Sequence, residues 1–339
     1  MDPAVSAALT YTVPETEHLK RLDSFLSDAA SDRDLSRSFV QKLIKEGQAA
    51  VNGKTVIKPS YPLNTGDVVS FEVPEAKPAE ILPQEMKLDI LYEDSDVLVI
   101  NKPKGMVVHP AAGHADGTLV NAVMYHCLDS GSGTVSLSGI GGVLRPGIVH
   151  RIDKDTTGSV IVCKNDAAHQ GIAAQLKAHS IVRRYYALVY GVLEEDMTID
   201  APLGRDPKDR KKIAIRRDGK RAVTHVHILR VYPAPGKKGP DSQAYTLVEC
   251  ALETGRTHQI RVHLSANGHP IVGDEVYGSR RKSPFDGEGQ YLHAAVLEFV
   301  HPRTGEMIRT KAPLPERFAD VLRQLDARCG YPESERIVL

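Results

Sequence analysis

Two short segments concentrate the residue types that can break and make covalent bonds. The first is Gly147-Ile148-Val149-His150-Arg151-Ile152-Asp153-Lys154-Asp155-Thr156-Thr157-Gly158. It reads as an apolar strand running into a loop with one His, one Arg, two Asp and two Thr, then returning to a strand. Charged groups beside buried strand ends need partners, and sites are often built on such loops, although a solvent-exposed turn has the same composition. The second runs from Thr254 to Leu264. Here the spacing predicts a helix capped by Thr257, with Ile260 and Leu264 facing inward and Gly268 ending it. Arg256 and Arg261 then fall before that helix and one turn inside it. An arginine there, paired with a loop carboxylate such as Asp153, would keep the acid ionised by charge attraction. Structural ion pairs do the same, so the residues alone leave Asp155 as a rival to Asp153.

Other chemistries fail on their motifs. There is no GxxxxGK followed by Ser or Thr, and the loop with Gly139 and Gly141 carries Leu144 where GxGxxG needs its third glycine. No HExxH, paired CxxC or GxSxG occurs. His225 and His227 bracket one residue of an expected strand and face the same side. Two ordinary strand histidines explain them better than a metal pair, since no third ligand is near. Neither phosphate-loop chemistry nor a standard zinc site is supported.

The elements that must position these segments belong to a chain of 339 residues, 41% hydrophobic and 25% charged, enough for about two globular domains. No run approaches the roughly 18 apolar residues of a membrane-spanning helix, and no signal peptide is read at the N-terminus. Cys127, Cys163, Cys250 and Cys329 lie far apart, as in a reduced cytoplasmic protein. An α+β module is expected over 15–73. It comprises a short helix at Arg21–Leu26, a helix capped by Ser36 with Phe39, Val40, Leu43 and Ile44 inward, an Asn52-Gly53 hairpin, and a strand with Val69, Phe71 and Val73. Between Arg33 and Lys58 six basic residues face two acids, a local charge of +4. The proline-rich stretch 74–87 reads as a linker. From 88 to 330 a mainly β domain with flanking helices is expected. It includes strands at Gly158–Cys163, Tyr185–Val189 and Thr246–Leu252, and helices at Ala167–His179 and around Phe318, Val321, Leu322 and Leu325.

The first module, with Arg21-Leu22-Asp23, Ser36-Arg37, Ile44-x-x-Gly47, Val51-Asn52-Gly53-Lys54 and Gly66-Asp67, resembles the S4 RNA-binding fold. The resemblance implies that Arg21, Arg37, Lys42, Lys45, Lys54 and Lys58 meet structured RNA, mostly at phosphates. His150 to Gly158 resembles the HRLDxxTSG signature of the RluA-type pseudouridine synthases. Upstream, Leu91–Asp94, Val99–Pro103 and Gly117–Asn121 match further family blocks. Downstream follow Arg184–Val189, Gly204–Asp206, Gly255–His263, Leu292–Ala294 and His301-Pro302, in family order. An S4 module ahead of this domain is similar to the RluD branch, which acts on large-subunit ribosomal RNA. The resemblance implies an α+β fold: the S4 domain, then a mixed, mainly antiparallel sheet with flanking helices. It also implies that uridine is isomerised to pseudouridine without metal or cofactor. Asp153 matches the catalytic aspartate, Arg151 the arginine that helps flip the target base, Tyr185 the tyrosine stacked on it, and Arg261 the basic partner of the aspartate.

Nine basic residues against three acids between Arg205 and Arg221 give a second patch of +6. Arg205, Lys211 and Lys212, with His150, Arg256 and His258, complete the expected RNA contacts. The expected partner is 23S ribosomal RNA or an assembling large subunit, met by a monomer, with transfer RNA as the alternative substrate. A non-catalytic assembly factor would have no reason to keep Asp153, Tyr185 and Arg261 together. A nucleoside hydrolase lacks a second matched acid.

Overall fold

A computed structural model describes residues 7–29, 37–73, 81–111, 113–128, 135–140, 146–209, 212–235, 243–278, 285 and 289–335. The chain divides into two compact units, 1–79 and 80–339. Among the described residues no helix is long and apolar enough to cross a membrane.

The first unit contains β1 (Ala7–Thr12), α1 (Leu22–Ala29), α2 (Arg37–Lys45), β2 (Ala49–Val51), β3 (Lys54–Thr55) and β4 (Val68–Val73). Its four strands form an antiparallel sheet in the order β1-β4-β2-β3. Asn52 and Gly53 both have positive φ, 50° and 76°, as the tight turn between β2 and β3 requires. Leu22, Phe25 and Leu26 of α1 and Val40, Leu43 and Ile44 of α2 close over Ala49, Val51, Val69 and Phe71 of the sheet. Helices this short are not stable by themselves, and this apolar packing is their main support. β1 lies ahead of the stretch read as a module, and its pairing with residues 68–73 is invisible to local pattern. Ser36, expected to cap α2, lies outside the described residues, as do 74–80 of the expected linker.

Along the second unit run β5 (Ile90–Glu93), β6 (Val97–Lys102), α3 (Leu119–His126), β7 (Thr157–Cys163), α4 (Asp166–Lys177), β8 (Val182–Tyr190) and β9 (Met197–Asp200). They are followed by β10 (Leu203–Arg205), β11 (Ile213–Ile215), β12 (Val223–Tyr232), β13 (Tyr245–Leu252), α5 (Gln259–Ala266), β14 (Leu292–Val300), β15 (Met307–Lys311) and α6 (Glu316–Cys329). Nine of these strands make one mixed sheet, ordered β5-β6-β7-β14-β8-β13-β12-β9, with β15 on β14; β10 and β11 form a separate hairpin. Every pairing in the large sheet is antiparallel except β7 with β14. The α+β architecture is therefore the one expected from the sequence.

The sheet is covered on both faces. On β6, Leu98 and Ile100 join one core with Val160, Val162 and Ala187, while Val97 and Val99 join another with Ile161, Phe299 and Ile172 of α4. Thr118 and Asn121 form a reciprocal capping box at the start of α3, and Asn165 caps α4 by accepting from Ala168 N–H at 2.9 Å. At the parallel junction Gly158 lies against Ala294 with φ +106°, and a Cβ there would sit 2.2 Å from the Ala294 carbonyl oxygen. Only glycine fits.

Candidate active site

The loop before β7 presents Asp153 to α5. Arg261, buried on that helix, donates from Nη1 to Asp153 Oδ2 at 2.9 Å. Its other edge is held by Asp274, which accepts from Nε at 2.7 Å and Nη2 at 2.9 Å. Asp274 is fixed in turn by the N–H groups of Val276 and Tyr277, both at 2.9 Å. Burial works against the Arg261 charge, but the hydrogen bonds and charges of Asp274 and Asp153 outweigh it and keep the guanidinium protonated. Asp153 is thus anchored through one oxygen, while its Oδ1 lies 3.8 Å from His258 Nε2. Burial, reinforced by Arg261 and Arg151, lowers the His258 pKa against the pull of Asp153 and Asp274. Ile213 N–H donates to Tyr277 Oη at 2.8 Å, and Tyr277 Oη lies 2.8 Å from His258 Nδ1. Satisfying all three groups has the phenol donate to Nδ1, leaving Nε2–H toward Asp153.

Asp153 shares a small cavity of about 50 Å³ with Arg151, Ile152, Tyr185, Arg256, His258 and Arg261. Tyr185 reaches it from β8, where it pairs with Ala294 of β14, one residue from His293, which pairs with Thr157 of β7. The three central strands therefore set the acid beside the phenol ring. Burial raises the Tyr185 pKa, slightly offset by Arg183, so the phenol stays neutral. Arg151 forms the exposed wall, its Nη1 3.4 Å from His109 Nε2. Asp155 does not line this cavity; its side chain packs where a Cβ on Gly289 would fall. Lys102, fully buried at the end of β6, donates to the carbonyls of Pro103 at 2.9 Å, Met106 at 2.8 Å and Lys154 at 2.9 Å. Burial pushes its pKa down to about 7 against the attraction of Asp155 and Asp153. Three carbonyl acceptors match only the ammonium, which ties the Asp153 loop to β6.

Local details depart from the sequence reading at three points. The strand expected before the Asp153 loop is only an isolated bridge, Ile148 with Val162. Thr257 does not cap α5: the N-cap is His258, at φ +55° and without a side-chain cap bond. Gln259 takes over, accepting from Thr254 Oγ1 at 2.8 Å and Arg256 N–H at 3.0 Å, so the turn is held from inside the helix. His150 is half-buried, and its Nε2 accepts from Ile161 N–H at 3.0 Å. Burial and then Arg183 push its pKa to about 3, so the imidazole is neutral and carries its proton on Nδ1. Asp274, Tyr277 and Lys102 were not singled out as site residues by the sequence. Their signal is faint, because an acid and a tyrosine in Gly273–Gly278 look like any turn.

The other expected RNA contacts are distributed more widely. In the first unit Arg21, Arg37, Lys42, Lys45, Lys54 and Lys58 are all exposed. Arg21 and Arg37 converge on buried Asp23, at 3.0 Å and 3.3 Å, beside Gln41 at 2.6 Å. In the second unit Arg205 is exposed on β10 and Lys212 is half-buried ahead of β11; neither lines the Asp153 cavity, and Lys211 lies outside the described residues. Arg216 pairs with Asp218 and Arg221 with Glu253, which trims the charge of that patch. His225 and His227 face separate acids, Glu253 and Asp196. Asp94, Asp96 and His301 have metal-ligand composition, but Arg303 clamps Asp96 at 2.5 and 2.7 Å and holds its pKa down at about 2.

The mixed sheet and the Asp–Arg–Tyr cluster define a class that comparison identifies. The RNA pseudouridylate synthase family model matches residues 96–266, and the S4 domain model matches 20–69. The chain belongs to the RNA pseudouridylate synthase family. It is 51% identical over 315 residues to the uncharacterized RNA pseudouridine synthase YlyB of Bacillus subtilis, covering 93% of this chain and 97% of that one. It is 45% identical over 314 residues to the ribosomal large subunit pseudouridine synthase D of Zymomonas mobilis, covering 90% and 93%. Human RNA pseudouridylate synthase domain containing 1 has a similar fold, with a TM-score of 0.54, 26% identity, and 75% and 90% of the two chains covered.

Proposed function

We propose that this RNA pseudouridine synthase isomerises uridines of large-subunit ribosomal RNA, with Asp153 as the reacting carboxylate. The carrying observation is that Asp153, held through one oxygen by Arg261, shares a cavity wall with Tyr185 and Arg151. Its free oxygen acts at the ribose, either as a nucleophile at C1′ or as the base that takes the C2′ proton. The N1–C1′ bond breaks, the uracil turns, and C5 bonds to C1′ as the carboxylate leaves C1′ or the C2′ proton is returned; the C5 proton then goes to solvent and N1 takes one up. Unstacking the uridine costs a few kcal/mol, which stacking on Tyr185 offsets by ~1–3 kcal/mol, with Arg151 filling the vacated place. A cavity of about 50 Å³ holds little more than a water molecule, so its exposed Arg151 wall moves as the base enters. The exposed lysines and arginines of the S4 unit hold the RNA through phosphates. The relatives named for the ribosomal large subunit favour that substrate over transfer RNA.

The test is tritium release from RNA transcribed with 5-tritiated uridine, comparing a large-subunit fragment with bulk transfer RNA. Wild type should release tritium from the ribosomal fragment and Asp153→Asn should release none. Preference for transfer RNA would move the substrate assignment. Binding without release from either RNA would favour an assembly factor, and free uracil would mark a hydrolase.

A further inference from the structure

Beside the Asp153 cavity, and sharing Arg151, Tyr185 and Arg256 with its wall, lies a second cavity of about 550 Å³. That volume is in the ~300–1,000 Å³ range of small-molecule sites. Its lining includes Lys177 at the end of α4, His179 just beyond it, His150, and Arg183 on β8, and no carboxylate lines it among the described residues. Arg183 is the unusual member. It is only 8% exposed, its Nε is buried without a hydrogen-bond partner, and Nη2 makes one long bond, 3.4 Å, to the Glu253 carbonyl. A guanidinium buried without a counter-charge is costly and calls for an anion. The backbone makes room for it: a Cβ on Gly255 would lie 2.6 Å from Arg183 Nη1. His150, whose Nε2 is taken by Ile161 N–H, offers Nδ1–H as a neutral donor on the same lining.

We infer that this cavity binds a phosphodiester of the RNA strand next to the target uridine, with Arg183 as its inner ligand. The inference rests on the uridine-isomerising reading above. A strand whose uracil lies against Tyr185 passes its neighbouring phosphate along the shared Arg151–Arg256 wall, and the guanidinium fork matches two phosphate oxygens. Arg183 is two residues from Tyr185 on one strand, so binding the phosphate also fixes where the base falls.

The experiment uses active full-length protein and substrates in which each phosphodiester within a few nucleotides of the target is replaced singly by a neutral methylphosphonate. One replacement should lower wild-type kcat/KM about tenfold. Arg183→Met should itself lose about tenfold and respond no further to that replacement. Its thermal midpoint should not fall, since an uncompensated buried charge has been removed; an arginine with only a structural role would lower the midpoint. Should the Met variant not fold, Arg183→Lys keeps the charge without the fork and should show weaker coupling to the same phosphate. Equal sensitivity of wild type and variant to every replacement, or no sensitive position in wild type, overturns the proposal. If wild type isomerised no RNA, the functional reading would fall separately, and the anion site would be read with inorganic phosphate. Phosphate should then shift the Arg183 Nε–H resonance of the wild type, and no shift at millimolar phosphate would sink the site.

Discussion

Arg261 is the cation that two carboxylates share. Asp274 takes the bidentate edge and Asp153 one remaining N–H, so the arginine is positioned by one acid in order to position the other. Removing half of a buried pair leaves an uncompensated charge and typically costs about 3–5 kcal/mol. Asp274→Asn should therefore lower the thermal midpoint and slow single-turnover tritium release at least tenfold, with RNA affinity close to wild type. A variant that loses stability but keeps the wild-type single-turnover rate would deny Asp274 its positioning role. The residues alone left Arg256 beside Arg261 and Asp155 beside Asp153; the family motifs pointed to Asp153 with Arg261, the pair found hydrogen-bonded at 2.9 Å. Lys102 was not legible in the sequence, because a lysine closing the apolar run Val97–Ile100 looks like a strand end entering water. Three backbone carbonyls hold it instead, two from the turn just after it and one from the distant Lys154.

Among the elements, β7, β13 and α6 were all readable from the sequence; β7 is buried at all seven positions, so its apolar run rather than any alternation marked it. The start of α5 defeats a local reading because Thr257 is a good cap by type. The Gln259 side chain accepts from Thr254 and Arg256 just ahead of it and donates to Val223 and Thr224 on β12, and those last two bonds are tertiary in origin. β1 could not be inferred locally, since its partner is some sixty residues away. In the S4 unit, helices α1 and α2 are cross-linked at Asp23. Burial pushes this carboxyl up, but hydrogen bonds from Arg21 and Gln41 and the charge of Arg37 outweigh it and hold the pKa at about 2, below the ordinary 3.8. A depressed carboxylate stabilises the fold above its unfolded pKa and loses that contribution as pH falls through the folded value. The shift corresponds to about 2 kcal/mol at full strength, and screening at half-exposed Arg21 and Arg37 reduces it to about 1 kcal/mol. Hydrogen exchange of the α2 and β2 amides should show wild type more protected than Asp23→Asn at pH 5, with the difference shrinking between about pH 4 and pH 2. A difference that persists at pH 2 would mean the carboxylate charge is not what holds the helices.

For the molecule as a whole, a formal net charge of zero conceals two basic patches. The patch in the S4 unit is exposed at all six expected positions, although Arg21 and Arg37 share Asp23 and Lys42 pairs with Glu46; in the 205–221 patch Arg216 and Arg221 are paired with acids. Removing a single phosphate interaction should flatten the logarithmic salt dependence of RNA binding by about 0.7–0.9. Charge reversal at Lys42, Lys45 and Lys54 together should flatten the slope more than reversal at Lys211 and Lys212, and both should weaken binding. An unchanged slope after either reversal would remove that patch from the RNA interface.

The placement of β14 also dictates when the enzyme becomes an enzyme. β7, which follows Asp153, and β8, which carries Tyr185, are not neighbours in the sheet; β14 lies between them. The link from Thr157 to His293 spans 136 residues. A ribosome synthesising this chain therefore releases the acid and the tyrosine long before the strand that joins them. Non-local closures of this kind make folding slow and leave strand edges open meanwhile. If Asp153 and Tyr185 form the site as proposed, the nascent protein carries both without a working site and gains one only when residues 292–300 slot into the gap.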